Sequence, residues 1–430
     1  MNAKRSIRDL LKVGLIISVG TMLLVGWLMY RAQTRVHNCI TDHTILAEPA
    51  ATLWYNRPST AILQNRLYLA YVGGRVPLGN TKLLRHIPVV EGRLDDFLMR
   101  LGNYNAVVTG WSTDGKVASH TQLKSWHSPD DHSAPAIIAT NKGLIAAYAH
   151  HSSPLIVRTG GPEWAAEKTI ETGSATYPRL VSIGGQIALV YARGKLGPEG
   201  GRDLVYRTSD DNGNSWGQIN MLVEAKPGFY VYASRAVARG RSGFCIAYTM
   251  FGRLPNGTES RFGLTVACRD DNGRIERTPI HVDKLGRDIL VFDVAMKNDT
   301  PRILFTGCAD PYDEKKLWSD CPAFVAEQFE NRWSFRKLGI MASSTMPGGM
   351  SFDVTDPDRI AIVKRIAGKV KIVVLRLDET ITVEKIIKPN YFATMPVFTG
   401  FPRPSLIWNE MRWFSSGNHH HMQLVGLCGE

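Results

Sequence analysis

Four positions in this 430-residue chain carry side chains suited to moving a proton and gripping an anion: His132, His150, Tyr177 and Arg193. Neutral imidazole accepts a proton near pH 7, and a phenol can give one or take one. A guanidinium stays charged and grips carboxylates through paired hydrogen bonds. Their spacing links them. Ala136–Ala139 and Leu144–Ala149 read as two short strands joined by a turn at Asn141-Lys-Gly143, so His132 and His150 meet at one end of an antiparallel hairpin. The segment from Tyr177 to Arg193 repeats that arrangement. Pro135 to Tyr148 and Pro178 to Tyr191 are both thirteen apart, so Tyr-Ala-His150 matches Tyr-Ala-Arg193. Two neighbouring repeats would aim all four side chains at one rim.

The surrounding residues supply supporting roles. Successive side chains on a strand point to opposite faces, so either His150 or His151 faces the cleft, not both. Tyr232 falls one repeat further along and is expected to line the cleft. Arg235, with Arg179, is a second-rank cation for substrate binding, expected on a sheet surface. Asp130 and Asp131 either cap the turn and orient His132 or are simply solvated. His132, His150, His151 and Asp131 could cluster around a structural metal ion. No compact zinc-type spacing exists, though, and no cofactor is expected. The run His419-His-His421 is assigned no role. Phosphate-binding glycine loops and nucleophile elbows are absent.

The elements that must hold these residues are strands. Beyond residue 50 the recurring unit is a short apolar run, a Gly/Asn/Asp turn, and a second apolar run closing on an aromatic or basic residue. It occurs at Thr60–Gly73, Ala134–His150, Tyr177–Arg193, Ser234–Met250, Phe292–Cys308 and Met350–Arg365. A spacing of about forty to sixty residues is the period of propeller blades. With Asn105–Leu123 counted as another blade, the expectation is an all-β, seven-bladed propeller over residues 51–430. Its last strands, Met395–Trp408 and Met422–Leu427, would complete the first blade and close the ring. Ser209-Asp-Asp211-Asn-Gly213-Asn-Ser215-Trp216 matches the Asp-box pattern, a structural hairpin turn. Arg269–Gly273 and Ser112–Gly115 look like worn copies.

Taken in order, Asp130-Asp-His132-Ser-Ala-Pro135, Tyr-Ala-His150, Thr176-Tyr177-Pro178, Tyr191-Ala-Arg193 and the Asp box resemble the BNR-repeat polysaccharide lyases, a group that includes seven-bladed ulvan lyases and related rhamnose–glucuronate lyases. Further matches are Phe292-Asp293-Val-Ala, Gly348–Asp353 with Asp356-Pro-Asp358, and Arg403-Pro404, so the likeness spans roughly residues 50–410. It implies β-elimination at a 4-linked uronic acid. Arg193 would neutralise the uronate carboxylate, His132 would act as base, and Tyr177 as acid or as combined acid and base. His150 would hold the carboxylate or orient the sugar. The division of base and acid between His132 and Tyr177 stays open. Two rival readings stand beside this one: a non-catalytic propeller that binds an acidic exopolysaccharide, and a sialidase-like hydrolase. The hydrolase ranks lowest, because His86-Ile-Pro88 is the nearest approach to its Arg-Ile-Pro motif.

Charge and the N-terminal residues bear on location. The net charge is +12, of which residues 1–35 supply +5. A basic body favours an anionic partner, whether nucleic acid, lipid head group or acidic polysaccharide; the resemblance implies the acidic polysaccharide and no nucleic acid. Residues 1–12 read as a basic cytoplasmic segment, 13–30 as an uncleaved transmembrane anchor, and 31–50 as a linker. Val13–Tyr30 is an eighteen-residue run without charge behind four basic residues. The expected setting is a bacterial inner membrane, with the body in the periplasm or outside the cell. Six cysteines fit bridges in an oxidising compartment. Cys308 and Cys321 share a loop, Cys245 and Cys268 lie on successive strands, and Cys39 and Cys428 would join the beginning of the body to its end.

Overall fold

The computed structural model describes residues 20–21, 35–48, 57–74, 104–126, 133–150, 153–161, 163–194, 200–253, 257–310, 320–329, 332–343, 349–366, 369–390, 392–413 and 420–428. Nearly all their regular structure is antiparallel strand. Middle strands are continuous apolar runs because neighbouring sheets cover both faces. Arg66–Gly74, for instance, is buried at every position after the first. Outer strands alternate, as Val117–Trp126 does, because one face meets water.

The strands form five sheets of four or five strands and one of seven, in a propeller-like arrangement. The expected set of seven separate blades, with a transmembrane helix ahead of them, is therefore corrected. The Tyr104–Ser112/Val117–Trp126 hairpin is no blade of its own. It pairs with Arg66–Gly74 and completes the sheet begun by Ser59–Leu63. Ala134–His150 and Tyr177–Arg193 do not belong to separate sheets either. The sixteen-residue strand Lys168–Ile183 pairs with Ser153–Gly160 through its first half and with Gln186–Arg193 through its second, which fuses them into one seven-stranded sheet. Ile145, Ala147 and Val157 pack against Leu189, Tyr191 and Val205 in the core of that sheet.

Closure comes from the N-terminal side. His43–Glu48 pairs with His420–Leu427, and Phe392–Phe398 lies at the opposite edge of this five-stranded sheet. Leu46, Val397, Ile407 and Leu424 then pack on Leu69, Tyr71 and Trp111, joining the last sheet to the first. Cys39–Cys428 bridges the same sheet, and Cys245–Cys268 and Cys308–Cys321 form as expected. Among the described residues no helix is long and apolar enough to cross a membrane. Of the expected span Val13–Tyr30, only Gly20 and Thr21 fall among them, so the anchor has no support here.

Candidate functional site

The seven-stranded sheet sets the geometry of the candidate residues. Ala175 stands opposite Ser153 on one side and opposite Arg193 on the other. With strands about 4.8 Å apart, the backbone at Arg193 and at Ser153 is separated by only about 10 Å. The Ser153 hydroxyl accepts the His150 amide at 2.8 Å, and the Ser153 amide donates to the His150 carbonyl at 3.1 Å. His150 is thus pinned to the end of the sheet that carries Arg193, and its ring sits 5.7 Å from that of Trp126. Ala136 pairs with Ala147, so the residues preceding Ala136 reach this same end. His132, His151, Asp130 and Asp131 lie outside the described residues.

Tyr177 follows Ala175 by two positions and breaks the ladder. The register shifts between Thr176 and Arg179, and Tyr177 has φ +51°, a left-handed conformation that a bulky side chain rarely adopts. A bulge of this kind re-aims side chains and is frequent beside functional sites. Tyr177 and Tyr232 pair as tilted rings 6.3 Å apart, and both line a central cavity of about 550 Å³. Arg193 and His150 are absent from that lining.

Arg193 is 44% exposed, and its Nε lies 3.3 Å from the buried Glu171 Oε2. Glu171 is itself fixed, because it accepts the Gly173 amide at 3.1 Å and the Tyr191 hydroxyl at 3.3 Å. Burial pushes the Tyr191 phenol above its ordinary range, so it remains a donor. The two terminal nitrogens of Arg193 make no hydrogen bond to the described residues. This arrangement orients a guanidinium from behind and leaves its forked end open to an incoming carboxylate.

Below Tyr177 the cavity wall is cationic. Arg235 was expected on a sheet surface together with Arg179; both instead line the cavity, and Arg57 joins them. Three further inner strands carry register shifts like that at Tyr177: at Ala233/Ala236, Val291/Asp293 and Thr394/Val397. Fully buried Asp293 accepts Arg57 Nη1 at 3.2 Å and Arg235 Nε at 2.9 Å. Its carboxylate also takes the amides of Phe352 at 2.9 Å and Val294 at 3.0 Å. Arg179 donates to the carbonyls of Tyr177, at 2.7 Å, and Ala233, and its guanidinium lies 5.7 Å from the Tyr177 ring centre. Arg57 and the Asp293 hub escaped the sequence reading. A usable signal was the recurrence of an arginine beside the beginning of three of the repeated apolar units, at 57, 179 and 235.

One motif reading reduces to local structure. In the Ser209–Trp216 turn, Asp211 accepts the Ser215 amide at 2.7 Å, and Gly213 (φ +84°) donates its amide to the Ser209 hydroxyl at 2.8 Å. Hydrogen bonds from Ser215 hold the Asp211 carboxyl down at about 2. Among the described residues no group of three or more His, Cys, Asp or Glu is placed to hold a metal ion.

No known protein family matches the sequence, and no curated protein does. Solved structures match by shape. One is an ulvan lyase of polysaccharide lyase family PL25 bound to -[GlcA(1-4)Rha3S]-, with a TM-score of 0.63 and 13% identity over 92% of this chain and 97% of that one. The Streptococcus pneumoniae sialidase NanB gives 0.43 at 10% identity, covering 89% of this chain and 69% of its own. The Aleuria aurantia lectin gives 0.40 at 10% identity, covering 80% of this chain and all of its own. At these identities the likeness is one of fold: this chain shares its propeller-like architecture with a polysaccharide lyase.

Proposed function

We propose that this protein is a polysaccharide lyase that cleaves a 4-linked, uronic acid-containing acidic polysaccharide by β-elimination. The observation that carries the reading is the register of the Lys168–Ile183 strand. It gathers Tyr177, Arg193 and the His150 turn at one end of one sheet, above a cationic cavity. The open fork of Arg193 pairs with the uronate carboxylate, which makes C5–H acidic enough to lose its proton. Tyr177 or His132 takes that proton, the electron pair becomes the C4=C5 double bond, and the C4–O4 bond breaks. The departing O4 receives a proton from the other of the two residues. His150 orients the sugar, while Tyr232 and Arg235 form the cleft floor. The shared fold with a lyase bound to a glucuronate-containing oligosaccharide supports the substrate class. Three disulfides support an oxidising location such as the periplasm.

The test is ultraviolet absorbance of the unsaturated uronate, followed on a panel of uronate polysaccharides. Wild type should raise it, and Arg193→Ala and Tyr177→Phe should each lower the rate about 10²–10³-fold, the loss typical of one charge-stabilising group. New reducing ends without absorbance would replace this reading with hydrolysis. Glycan binding without either would leave a binding propeller.

A further inference from the structure

Charge is segregated along the sheet made of Met350–Phe352, Arg359–Ile366, Lys369–Leu377 and Ile381–Ile387. Its acids gather toward the end that holds the 353–358 and 378–380 turns, where cations match them. Glu384 takes Arg359 at 2.8 Å and Arg376 at 2.6 Å, and Asp356 takes Arg376 at 3.1 Å. Asp358 is held by Lys297 and Arg302, each at 2.7 Å. The opposite end carries Lys364, Arg365, Lys369, Lys371 and Lys388, and no acid of the sheet's own.

Register turns four of these lysines into a ladder on one face. Lys364 stands directly opposite Lys371, and the pairing of Ile372 with Ile387 brings Lys388 to the same row. Lys369, two positions before Lys371, points to the same face. Beneath the row, Ile362 and Val373 pack with Leu338 and Ile340 of the neighbouring sheet, so the lysine stems cap apolar surface. Lys369 and Lys388 are exposed, and Lys364 and Lys371 are half-buried. No described carboxylate forms an ion pair with any of the four, and Asp320 of the neighbouring sheet, which feels Lys364, feels Arg365 more strongly. Like charges placed directly opposite on neighbouring strands repel, so a row of three is unfavourable unless an anion lies along it.

We propose that the Lys364–Lys371–Lys388 row, with Lys369, is a second docking surface for a polyanionic chain, the acidic polysaccharide itself, and holds a stretch remote from the bond that is cut. Cations set about 4.8 Å apart from strand to strand suit a linear polymer that carries charge along its length. Arg193 closes the second strand of its hairpin beside Ala175, and Lys364–Ile366 closes the second strand here. In the propeller-like repeat those strand ends share one face of the ring, so one chain can reach both. That shared face favours the polysaccharide over nucleic acid or a lipid surface. The identity of the polymer rests on the elimination reading; the docking surface does not.

The experiment measures binding at low and at high sodium chloride in the full chain carrying Tyr177→Phe, so that no bond is cut. The probes are high-molecular-mass polyglucuronate and its tetrasaccharide. Lys364→Gln/Lys371→Gln/Lys388→Gln should weaken the polymer about tenfold or more and flatten its salt dependence, while the tetrasaccharide binds as before. Arginine at the same three positions should retain polymer binding, and the melting temperature of each variant establishes that it is folded. Removing equal charge elsewhere, in Lys142→Gln/Lys226→Gln/Lys284→Gln, should cost little. No loss in the ladder variant, an equal loss in the control variant, or an equal loss with the tetrasaccharide overturns the docking surface. Ladder-dependent binding that is tighter for duplex DNA or phosphatidylglycerol vesicles than for polyglucuronate overturns the polysaccharide as its occupant. Absorbance of the unsaturated product is scored separately in the otherwise unaltered protein, so its failure removes the reaction and leaves the binding result standing.

Discussion

Asp293→Asn is the most informative single substitution in this molecule. The carboxylate is fully buried and receives four donors: Arg57 at 3.2 Å, Arg235 at 2.9 Å, and the amides of Phe352 and Val294 at 2.9 and 3.0 Å. An asparagine keeps the shape and one acceptor oxygen but turns an NH₂ group toward a donor. Breaking a buried ion pair by removing one partner costs about 3–5 kcal/mol. The low end applies here, because Arg57 and Arg235 keep 20% and 26% of their side chains exposed to the cavity and can rehydrate. The expected loss is thus about 3 kcal/mol, read as a lower urea midpoint with an unchanged slope. In a melt this amounts to a fall of about 4 °C for a chain of this size. Replacing Arg235 by Gln in the same chain removes one of the stranded charges, so the double variant should lose less than the sum of the two single ones. A loss below about 1 kcal/mol, or strict additivity with Arg235→Gln, would show that Asp293 is no hub.

Two further outcomes are expected. Glu171→Gln should lower kcat for elimination about 10–100-fold through misaiming of Arg193, while the melting temperature barely moves, because the partner guanidinium is 44% exposed. A large stability loss with unchanged turnover would give Glu171 a purely structural role. His120 is held neutral by burial, with its pKa below the ordinary 6.5, and its Nδ1 lies 3.0 Å from the Thr109 hydroxyl. Because the folded pKa is depressed, its contribution is complete above pH 6.5 and drains away as pH falls from there toward the folded value. Urea midpoints measured across that range should drop less in His120→Gln than in wild type.

The strand alternation and turn residues of Pro135–Tyr148 and Pro178–Tyr191 made those hairpins legible, because burial on one face forces a period of two. The same physics located the shared end of His150 and Arg193 and, through ring closure, the Cys39–Cys428 pair. What stayed hidden was pairing that leaves no apolar trace. Lys168–Ser174 is mostly polar and half exposed, so nothing in its composition announced a strand that fuses two hairpins. The outer hairpin Tyr104–Trp126 looked like a separate blade because its apolar pattern is the same whether it pairs with itself or with Arg66–Gly74. Arg179 and Arg235 were misplaced by bulges. A register shift at Thr176/Arg179 or Ala233/Ala236 changes which face a side chain meets, and period counting cannot see it.

The strand that runs unbroken from Lys168 to Ile183 also works as a splint. Moving the turn that bears His150 away from Arg193 would mean tearing hydrogen bonds on one side of Ala175 or the other, so these two groups travel as a unit. The span between the His150 turn and Arg193 is set by the ladder itself, so anything that bridges the two meets a rigid gap.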